Sequence, residues 1–252
     1  HLSQALSSLA NICEFQVIII DPRNYFANIK RFPNDLIIND WPDEALKNYK
    51  FNFSDNIDQI INSKIVEISF EINKKLNQFD IVACYPTYNS LVIDYNPLNN
   101  ERDVIINRIS ELIDNFEFKN LNSDELLEID VNYGGDYGED LKSVSEITKL
   151  SEKEVIKIHS SVIYHVYMIG FSPGFPYLGG LNEKLICPRL DSPRQVVPAG
   201  SVGIADKQTG IYPVESSGGW RLIGRTDENL FDNNLVSPSI LKPGMKLKFN
   251  EI

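Results

Sequence analysis

The run GFSPGFPYLGGL at residues 170–181, followed by PRLDSPRQVVPAGSVGIADKQTGIYPVESSGGWRLIGRT at 188–226, decides the fold of this chain. Thirteen of the fourteen glycines lie between Gly134 and Gly224, and prolines interrupt the same stretch. Short apolar runs such as 196–197 and 201–205 stand between these breaks. Such spacing is typical of an all-β sandwich or barrel, and we predict one of these two folds.

The predicted turns of this region carry polar side chains. On a rigid β scaffold, side chains at turns are well placed to bind a ligand. The residues concerned are Arg189, Arg194, Ser201, Gln208, Thr209 and Arg225. We therefore expect a binding rim along these turns.

Composition restricts the partners of the protein. The 252 residues can form one large domain or two ordinary ones, and an apolar content of 42% is enough for real cores. The net charge of -11 argues against nucleic acid and against an anionic membrane surface. No apolar run approaches the roughly 20 residues that span a bilayer.

Cysteine and histidine usage points to a reduced compartment without a metal site. Cys13, Cys84 and Cys187 lack CxxC spacing, and no secretory signal pattern is visible, so we expect a cytoplasmic protein with buried thiols. With only three histidines in the chain, a site with several closely spaced His or Cys ligands is not predicted.

The first 48 residues differ in character from the rest. A helical pattern at 2–13, an apolar strand at 15–20 and then Asp21 match the second half of a nucleotide-binding βαβ unit. The glycine loop that binds phosphate is absent, so no dinucleotide binding is predicted. Half of such a unit cannot cover both faces of its sheet, and we expect a poorly packed appendage.

This segment resembles the C-terminal domain of XdhC-like accessory proteins of xanthine dehydrogenase. The matching positions are 1–2, 4–6, 17–23, 26–27, 31–33 and 43–46. The resemblance implies a truncated Rossmann-like α/β fragment over residues 1–48. A remaining accessory function is disfavoured by the missing glycine loop.

A small α+β domain is predicted over residues 49–122. Apolar residues recur at helical spacing across 57–76, and 103–116 repeats that pattern. Between the two helices, 81–85 and 90–95 are predicted strands. Residues 119–124 form a mostly polar linker to the next domain.

The remaining domain, residues 123–252, begins with predicted strand 126–133 and a glycine-rich loop at 134–138. Helices are predicted at 140–149 and 151–160, the second opened by a capping box between Ser151 and Glu154. A strand at 164–171 leads into the glycine-rich region, and a turn at 241–245 introduces a closing strand.

Several side chains are candidates for chemistry. His159, at the end of a predicted helix, has an unperturbed pKa that suits acid–base work, but a histidine there also stabilises the helix terminus. His165, inside a strand, is predicted to be structural. Arg189 and Arg194 could grip an anionic substrate or a partner's carboxylate, with ordinary surface ion pairing as the alternative.

The segment PAGSVG at 198–203 resembles an anion-binding glycine loop but lacks the Lys-Ser/Thr ending of a P-loop. Residues 208–210 are predicted to form a hairpin turn whose side chains reach a ligand or a neighbour. Phe175, Tyr177 and Trp220 either line an apolar pocket, cover an interface or pack in the core. Ser201 has no G-x-S-x-G context, so no Ser-His-Asp triad is predicted.

Residues 50–252 resemble the KipI / allophanate hydrolase subunit 1 family, which includes the B subunit of bacterial 5-oxoprolinase. The resemblance rests on YPTYNSL at 85–91, YNP at 95–97, YGGDYGEDL at 133–141, His159, 167–181, 188–189, 193–194, 197–205, 208–213, 218–220, 223–226, 230–231 and 243–244. Two positions depart from the family pattern. Asp206 stands where the family usually has Gly, and Ser217 where Pro commonly occurs.

The resemblance implies a small N-terminal α+β domain followed by a mainly-β, cyclophilin-like barrel. It implies two partners, an allophanate hydrolase subunit 2 (KipA-like) protein and a protein like the A subunit of 5-oxoprolinase; together they open 5-oxoproline to glutamate with ATP. ATP is then used by the complex rather than bound by an evident motif of this chain. Related domains act in urea amidolyase, and biotin is implied only for a carboxyltransferase.

An enzyme subunit, inactive alone and acting on a small-molecule amide, is the first hypothesis; a histidine kinase inhibitor is the alternative. Amide opening needs donors for a developing oxyanion, and we expect the amides of 200–203 and the arginines to supply them. The predicted catalytic residues are His159, Arg194 and Gln208. The predicted substrate-binding residues are Tyr177, Arg189, Gly200, Ser201, Gly203, Thr209, Trp220 and Arg225.

Overall fold

The computed structural model describes residues 47–96, 101–119 and 125–252. They divide into two compact units. The first unit contains 47–51, 68–85, 91–96 and 101–117, and the second contains 52–67, 86–90, 118–119 and 125–252. The domain boundaries predicted at 48 and 122 stay a prediction, and residues 1–46 of the predicted Rossmann-like fragment fall outside the described residues.

Up to residue 117 the described chain forms a three-stranded sheet with helices. Its elements are β1 (Lys47–Asn52), α1 (Gln59–Asn73), α2 (Leu76–Phe79), β2 (Ile81–Pro86), β3 (Ser90–Tyr95) and α3 (Arg102–Asp114). The strand order is β1-β3-β2. The predicted helices and the strands at 81–85 and 90–95 are confirmed, whereas β1 was not predicted.

Helix α1 is amphipathic, as its sequence predicts, but its buried apolar face is shorter than the apolar pattern that runs across 57–76. Ile65, Ile68 and Ile72 are fully buried, while Ile57 and Ile60 are exposed. Near its end, the amide of Asn73 donates to the carbonyl of Cys84 at 2.6 Å and so fixes the helix to β2. Burial at i, i+3 and i+7 is what holds such a helix in place.

The second unit contains a closed seven-stranded barrel with the order β11-β4-β12-β5-β6-β9-β8. The strands of this part of the chain are β4 (Leu126–Tyr133), β5 (Ile163–Ile169), β6 (Pro176–Gly179), β7 (Arg194–Val197), β8 (Ser201–Ala205), β9 (Gln208–Ile211), β10 (Ser216–Gly218), β11 (Arg221–Arg225) and β12 (Lys246–Glu251). Strands β4 and β12 are parallel, and the other barrel pairs are antiparallel. Of the two predicted folds, the barrel is therefore the correct one.

Apolar side chains from every part of the barrel fill its interior. Fully buried members include Val131 on β4, Val166 on β5, Val202 on β8, Ile211 on β9 and Leu247 on β12. Burying side chains of this size stabilises the fold by about 1.5–3 kcal/mol each. The result is a rigid scaffold whose turns and flanking ribbon can carry a site.

Two helices, α4 (Leu141–Thr148) and α5 (Glu152–Ser160), precede β5 and lie against β11 and β12. The predicted capping box is present: the Ser151 hydroxyl accepts from the Glu154 amide, and the Glu154 carboxylate accepts from the Ser151 amide at 2.8 Å. It satisfies two backbone donors at the start of α5.

Strands β7 and β10 form a separate two-stranded ribbon beside the barrel. The ribbon places Ser217 and Gly218 at the end of β10, and Gly219 follows directly before Trp220. Within the described ranges, no helix has both the length and the apolar character needed to cross a membrane.

Candidate functional site

A cavity of about 270 Å³ opens beside the β7–β10 ribbon. Its walls are mainly aromatic, and we call it the aromatic cleft. It is lined by Phe171, Phe175, Tyr177, Arg189, Pro193, Tyr212, Ser217, Gly218, Gly219 and Trp220. Three of these, Tyr177, Arg189 and Trp220, are residues that the sequence predicted to bind substrate.

The walls of the aromatic cleft are held by edge-to-face packing around Phe175. Its ring centroid lies 5.1 Å from those of Tyr177 and Tyr212 and 5.4 Å from that of Trp220. Phe175, Tyr212 and Trp220 are all buried. Aromatic pairs with this geometry prefer fixed arrangements, so the cleft is preformed.

Phe171 stands at this cleft in an unusual backbone conformation. Its φ of 69° lies in the left-handed region, and 58% of the residue is exposed. Phe171 lies in a tight loop over residues 170–175, which is closed by the amide of Gly170 donating to the carbonyl of Phe175 at 3.0 Å. A bulky residue with positive φ is rare, and such strain is found at ligand sites.

Polar groups give the aromatic cleft a recognition surface. Arg189 supplies a cation, and its Nε donates to the carboxylate of Asp206 at 3.2 Å. Burial raises the pKa of Tyr212 to about 12 and raises that of Tyr177, and the charge of Arg189 opposes both shifts. Both phenols therefore stay protonated at neutral pH and can donate hydrogen bonds.

Gln208 does not line the aromatic cleft but is linked to it through Tyr88. Its side-chain amide donates to the Tyr88 hydroxyl at 2.6 Å, and the ring of Tyr88 contacts that of Tyr177 with centroids 5.6 Å apart. The fully buried Asn62 fixes the turn between β2 and β3, which carries Tyr88, by donating to the carbonyl of Tyr88 at 3.2 Å. Gln208 thus supports Tyr177 through Tyr88.

His159 is fully buried, with both ring nitrogens hydrogen-bonded. The hydroxyl of Thr209 donates to the carbonyl of Gly203 at 2.9 Å, so it accepts from Nε2–H of His159, also at 2.9 Å. Nδ1 then accepts from the Tyr133 hydroxyl at 2.7 Å. The imidazole is neutral, because burial lowers the pKa of His159 to about 3.

One buried chain of hydrogen bonds therefore contains three of the predicted site residues, His159, Thr209 and Gly203. Both nitrogens of the buried imidazole are already hydrogen-bonded, so the arrangement favours a structural role over direct acid–base catalysis. His165, predicted to be structural, is also buried, and its Nε2 bonds the Asn62 side chain at 2.9 Å.

Arg194 is engaged by two carboxylates. Its Nε lies 2.8 Å from Glu139, and its Nη2 lies 2.9 Å from Asp140. Its Nη1 is buried without a hydrogen-bond partner in the part of the chain that the structure describes. Asp140 also accepts from the amide of Leu222 at 2.7 Å. The guanidinium therefore connects β7 to the segment that precedes α4.

The glycine segment at 198–203 does not form a phosphate cradle. The amide of Gly200 donates to the carbonyl of Tyr212 at 2.7 Å, and that of Ser201 donates to Pro198 at 3.3 Å. Gly203 lies within β8, paired with Gly210. Both amides are therefore engaged within the chain, which does not favour their use for an oxyanion or for phosphates, and the role expected of 200–203 stays a prediction.

Arg225 lies apart from the aromatic cleft. Its guanidinium stacks over the ring of Tyr137, 4.8 Å from the centroid. It lines two shallow depressions, of about 290 Å³ with Ser201 and about 370 Å³ with Gly200. Within the described residues, no group of three or more His, Cys, Asp or Glu side chains converges as a metal site would require.

Comparison with known proteins identifies the family. The family model described as the carboxyltransferase domain, subdomain C and D, matches residues 45–241. The 5-oxoprolinase B subunit of Bacillus subtilis is 40% identical over 185 residues, which are 68% of this chain and 75% of that protein. The chain belongs to the carboxyltransferase-domain family.

Two further relatives point to the same family. The 5-oxoprolinase B subunit of Haemophilus influenzae is 54% identical over 123 residues, 49% of this chain and 58% of that protein. The crystal structure of TTHA0988 superposes with a TM-score of 0.73 at 30% identity, covering 82% of this chain and 40% of that one. The chain thus spans between two fifths and three quarters of the length of these relatives. The predicted resemblance to the KipI family and its 5-oxoprolinase members is confirmed, and the XdhC-like resemblance stays a prediction.

Several residues of this carboxyltransferase-domain chain belong to the candidate site but were not predicted from the sequence. Tyr212, Phe171 and Pro193 line the aromatic cleft, and Tyr88 and Asp140 support it. Tyr88 and Asp140 stand in the runs YPTYNSL and YGGDYGEDL, but nothing in a single sequence shows that they reach Gln208 and Arg194, 120 and 54 positions away.

Proposed function

We propose that this chain is the B subunit of a 5-oxoprolinase-type enzyme that opens 5-oxoproline to glutamate at the expense of ATP. The proposal includes two partners, a KipA-like protein and a protein like the A subunit of 5-oxoprolinase, without which the chain is inactive. One observation carries it: a chain related to proteins named as the B subunit of 5-oxoprolinase has a preformed aromatic cleft with a cation in its lining.

The chemistry of 5-oxoproline fits such a cleft. The molecule is a five-membered lactam with one carboxylate, and about 270 Å³ lies at the small end of ligand pockets. The faces of Tyr177 and Trp220 can pack on the ring, and a guanidinium such as that of Arg189 can bind the carboxylate. The phenol hydroxyls of Tyr177 and Tyr212 are donors for the lactam oxygen.

Roles for the remaining predicted residues follow from their contacts. We assign Arg194, Gln208 and His159, with its partner Thr209, to positioning the walls of the site rather than to contacting substrate. Ser201, Gly200 and Arg225 lie at the other depressions, where an adjoining protein of the complex could bind. We also propose that the barrel domain, residues 123–252, is cyclophilin-like.

The direct test is ATP-dependent release of glutamate from 5-oxoproline. The chain is added to its two candidate partners, the KipA-like protein and the A-subunit-like protein, and then omitted. Trp220→Ala is compared with Val236→Ala in the same assay. Val236, 99% exposed, is a control that does not line the cleft. We expect release to require this chain and to fall at least tenfold with the Trp220 variant only. Equal release with and without the chain, or none with folded partners, would overturn the proposal.

A further inference from the structure

The ion pair between Arg189 and Asp206 places a carboxylate in contact with the cation of the aromatic cleft. Nε of Arg189 lies 3.2 Å from Oδ2 of Asp206, and the two side chains are 57% and 61% exposed. No other hydrogen bond or ion pair of this guanidinium occurs among the described residues. Most of its five N–H donors are therefore open to a ligand.

The backbone holds both partners in place. Asp206 lies in the two-residue turn between β8 and β9, and its amide donates to the carbonyl of Cys187 at 2.7 Å. Cys187 precedes Arg189 by two residues and is fully buried. The carboxylate is thus presented to the guanidinium by fixed backbone rather than by a chance surface encounter.

An ion pair this exposed is weak, since water screens both charges. A ligand carboxylate in the cleft can therefore replace or share the contact, but the negative charge of Asp206 remains beside it. Like charges near one guanidinium repel, which lowers the affinity for an anion without affecting a neutral ligand of the same shape.

We propose that Asp206 is a specificity-determining residue of the aromatic cleft: its carboxylate competes with a ligand carboxylate for Arg189 and so sets the affinity for anionic cyclic amides. This inference rests on the proposed function for the choice of ligand. Removing the charge of Asp206 strengthens binding of the anion, and removing Arg189 abolishes the effect.

The conformation of Asp206 allows a clean test. Its φ of 53° lies in the left-handed region, which Gly and Asn adopt more readily than Asp does. The side chain is exposed, and it bonds to Arg189. Asp206→Asn and Asp206→Gly therefore remove the charge without introducing strain.

The experiment measures binding to the full chain by calorimetry, with 5-oxoproline and its neutral carboxamide as probes. Asp206→Asn and Asp206→Gly are compared with Arg189→Gln and with the double variant Arg189→Gln/Asp206→Asn. Glu183→Gln, an exposed residue outside the cleft, removes the same charge as a control.

We expect both Asp206 variants to bind 5-oxoproline about twofold to fivefold more tightly, the size of one exposed ion pair, and less so at high salt. Carboxamide binding and the Glu183 control should not change, and the double variant should match Arg189→Gln. Equal effects on both probes, no effect on either, or no saturable binding of either probe to the folded chains would overturn the inference.

Kinetics of the reconstituted complex separate this inference from the proposed function. Glutamate release without a KM change for the Asp206 variants would overturn the role of Asp206 and leave the enzyme function in place. Charge-specific binding by the chain, with no glutamate release from the complex, would overturn the enzyme function and support the role of Asp206.

Discussion

The guanidinium of Arg194 and the carboxylate of Asp140 lie 2.9 Å apart, and this pair fastens the β7–β10 ribbon to the body of the barrel. The other oxygen of Asp140 accepts from the amide of Leu222 on β11 at 2.7 Å. One carboxylate therefore joins β7, β11 and the start of α4. Because the ribbon carries residues 217–219, the pair determines where one wall of the aromatic cleft stands.

Asp140→Ala is expected to lower the free energy of unfolding by about 3 kcal/mol, because it leaves the largely buried guanidinium of Arg194 and a buried amide without their acceptor. Glu139→Ala is the matched control. Glu139 contacts the same guanidinium at 2.8 Å, but its side chain is 59% exposed, so its loss should cost less than about 1 kcal/mol. Urea unfolding of both variants measures the difference, and equal losses would contradict this account.

Adjacent glycines of the aromatic cleft offer a second matched pair. A Cβ on Gly218 would lie 2.3 Å from the hydroxyl of Tyr212, whereas one on Gly219 would meet nothing closer than 3.6 Å. We expect Gly218→Ala to displace Tyr212 and lower kcat/KM of the reconstituted complex at least tenfold. Gly219→Ala should stay within about twofold of wild type. Similar activities of the two variants would show that Tyr212 does not shape the site.

Local patterns in the sequence predict the elements of this fold well. The capping box at Ser151, the strand at 126–133 and the helix at 151–160 follow from neighbouring residues alone, and all are present. Strand β1 was missed because KNYKFN is short and mostly polar, and its alternation is limited to two half-buried side chains, Tyr49 and Phe51. Its pairing with β3 comes from tertiary structure, which sequence periodicity does not report.

The site was less predictable because its residues meet across long stretches of chain. Tyr177, Arg189 and Trp220 were identified from residue type and turn position, and the structure brings them together. The same reasoning placed His159 among the catalytic residues, since a sequence does not reveal that the ring is buried between Tyr133 and Thr209. Burial, rather than residue type, decides which of these side chains can meet a ligand.

The contact between Gln208 and Tyr88 separates a supporting role from a catalytic one. Tyr88→Phe removes the acceptor of the 2.6 Å hydrogen bond, and Gln208→Leu removes the donor. If the pair only supports Tyr177, both variants should raise KM for 5-oxoproline about threefold and leave kcat within twofold, and this is the expected result. A kcat lowered a hundredfold by Gln208→Leu alone would restore the predicted catalytic role of Gln208. Tyr85→Phe serves as the control, because its hydroxyl contacts Asp94 instead.

The buried neutral histidines predict how stability depends on pH. Burial lowers the pKa of His159 to about 3 and, together with the charge of Lys246, that of His165 to about 4. Unfolded histidine has a pKa of about 6.5, so below that pH the unfolded chain binds protons that the folded chain does not. The stabilisation from neutral His159 is fully present above pH 6.5 and is lost as the pH falls from 6.5 towards 3.

Between pH 7 and pH 4.5 this effect should remove about 2–3 kcal/mol per histidine from the free energy of unfolding. His159→Gln keeps a donor and an acceptor but does not titrate, so its stability should fall by that much less than the wild type over the same range. His165→Gln should behave in the same way. Urea titrations at the two pH values measure this, and equal pH dependence in all three proteins would mean that the histidines are not held neutral by burial.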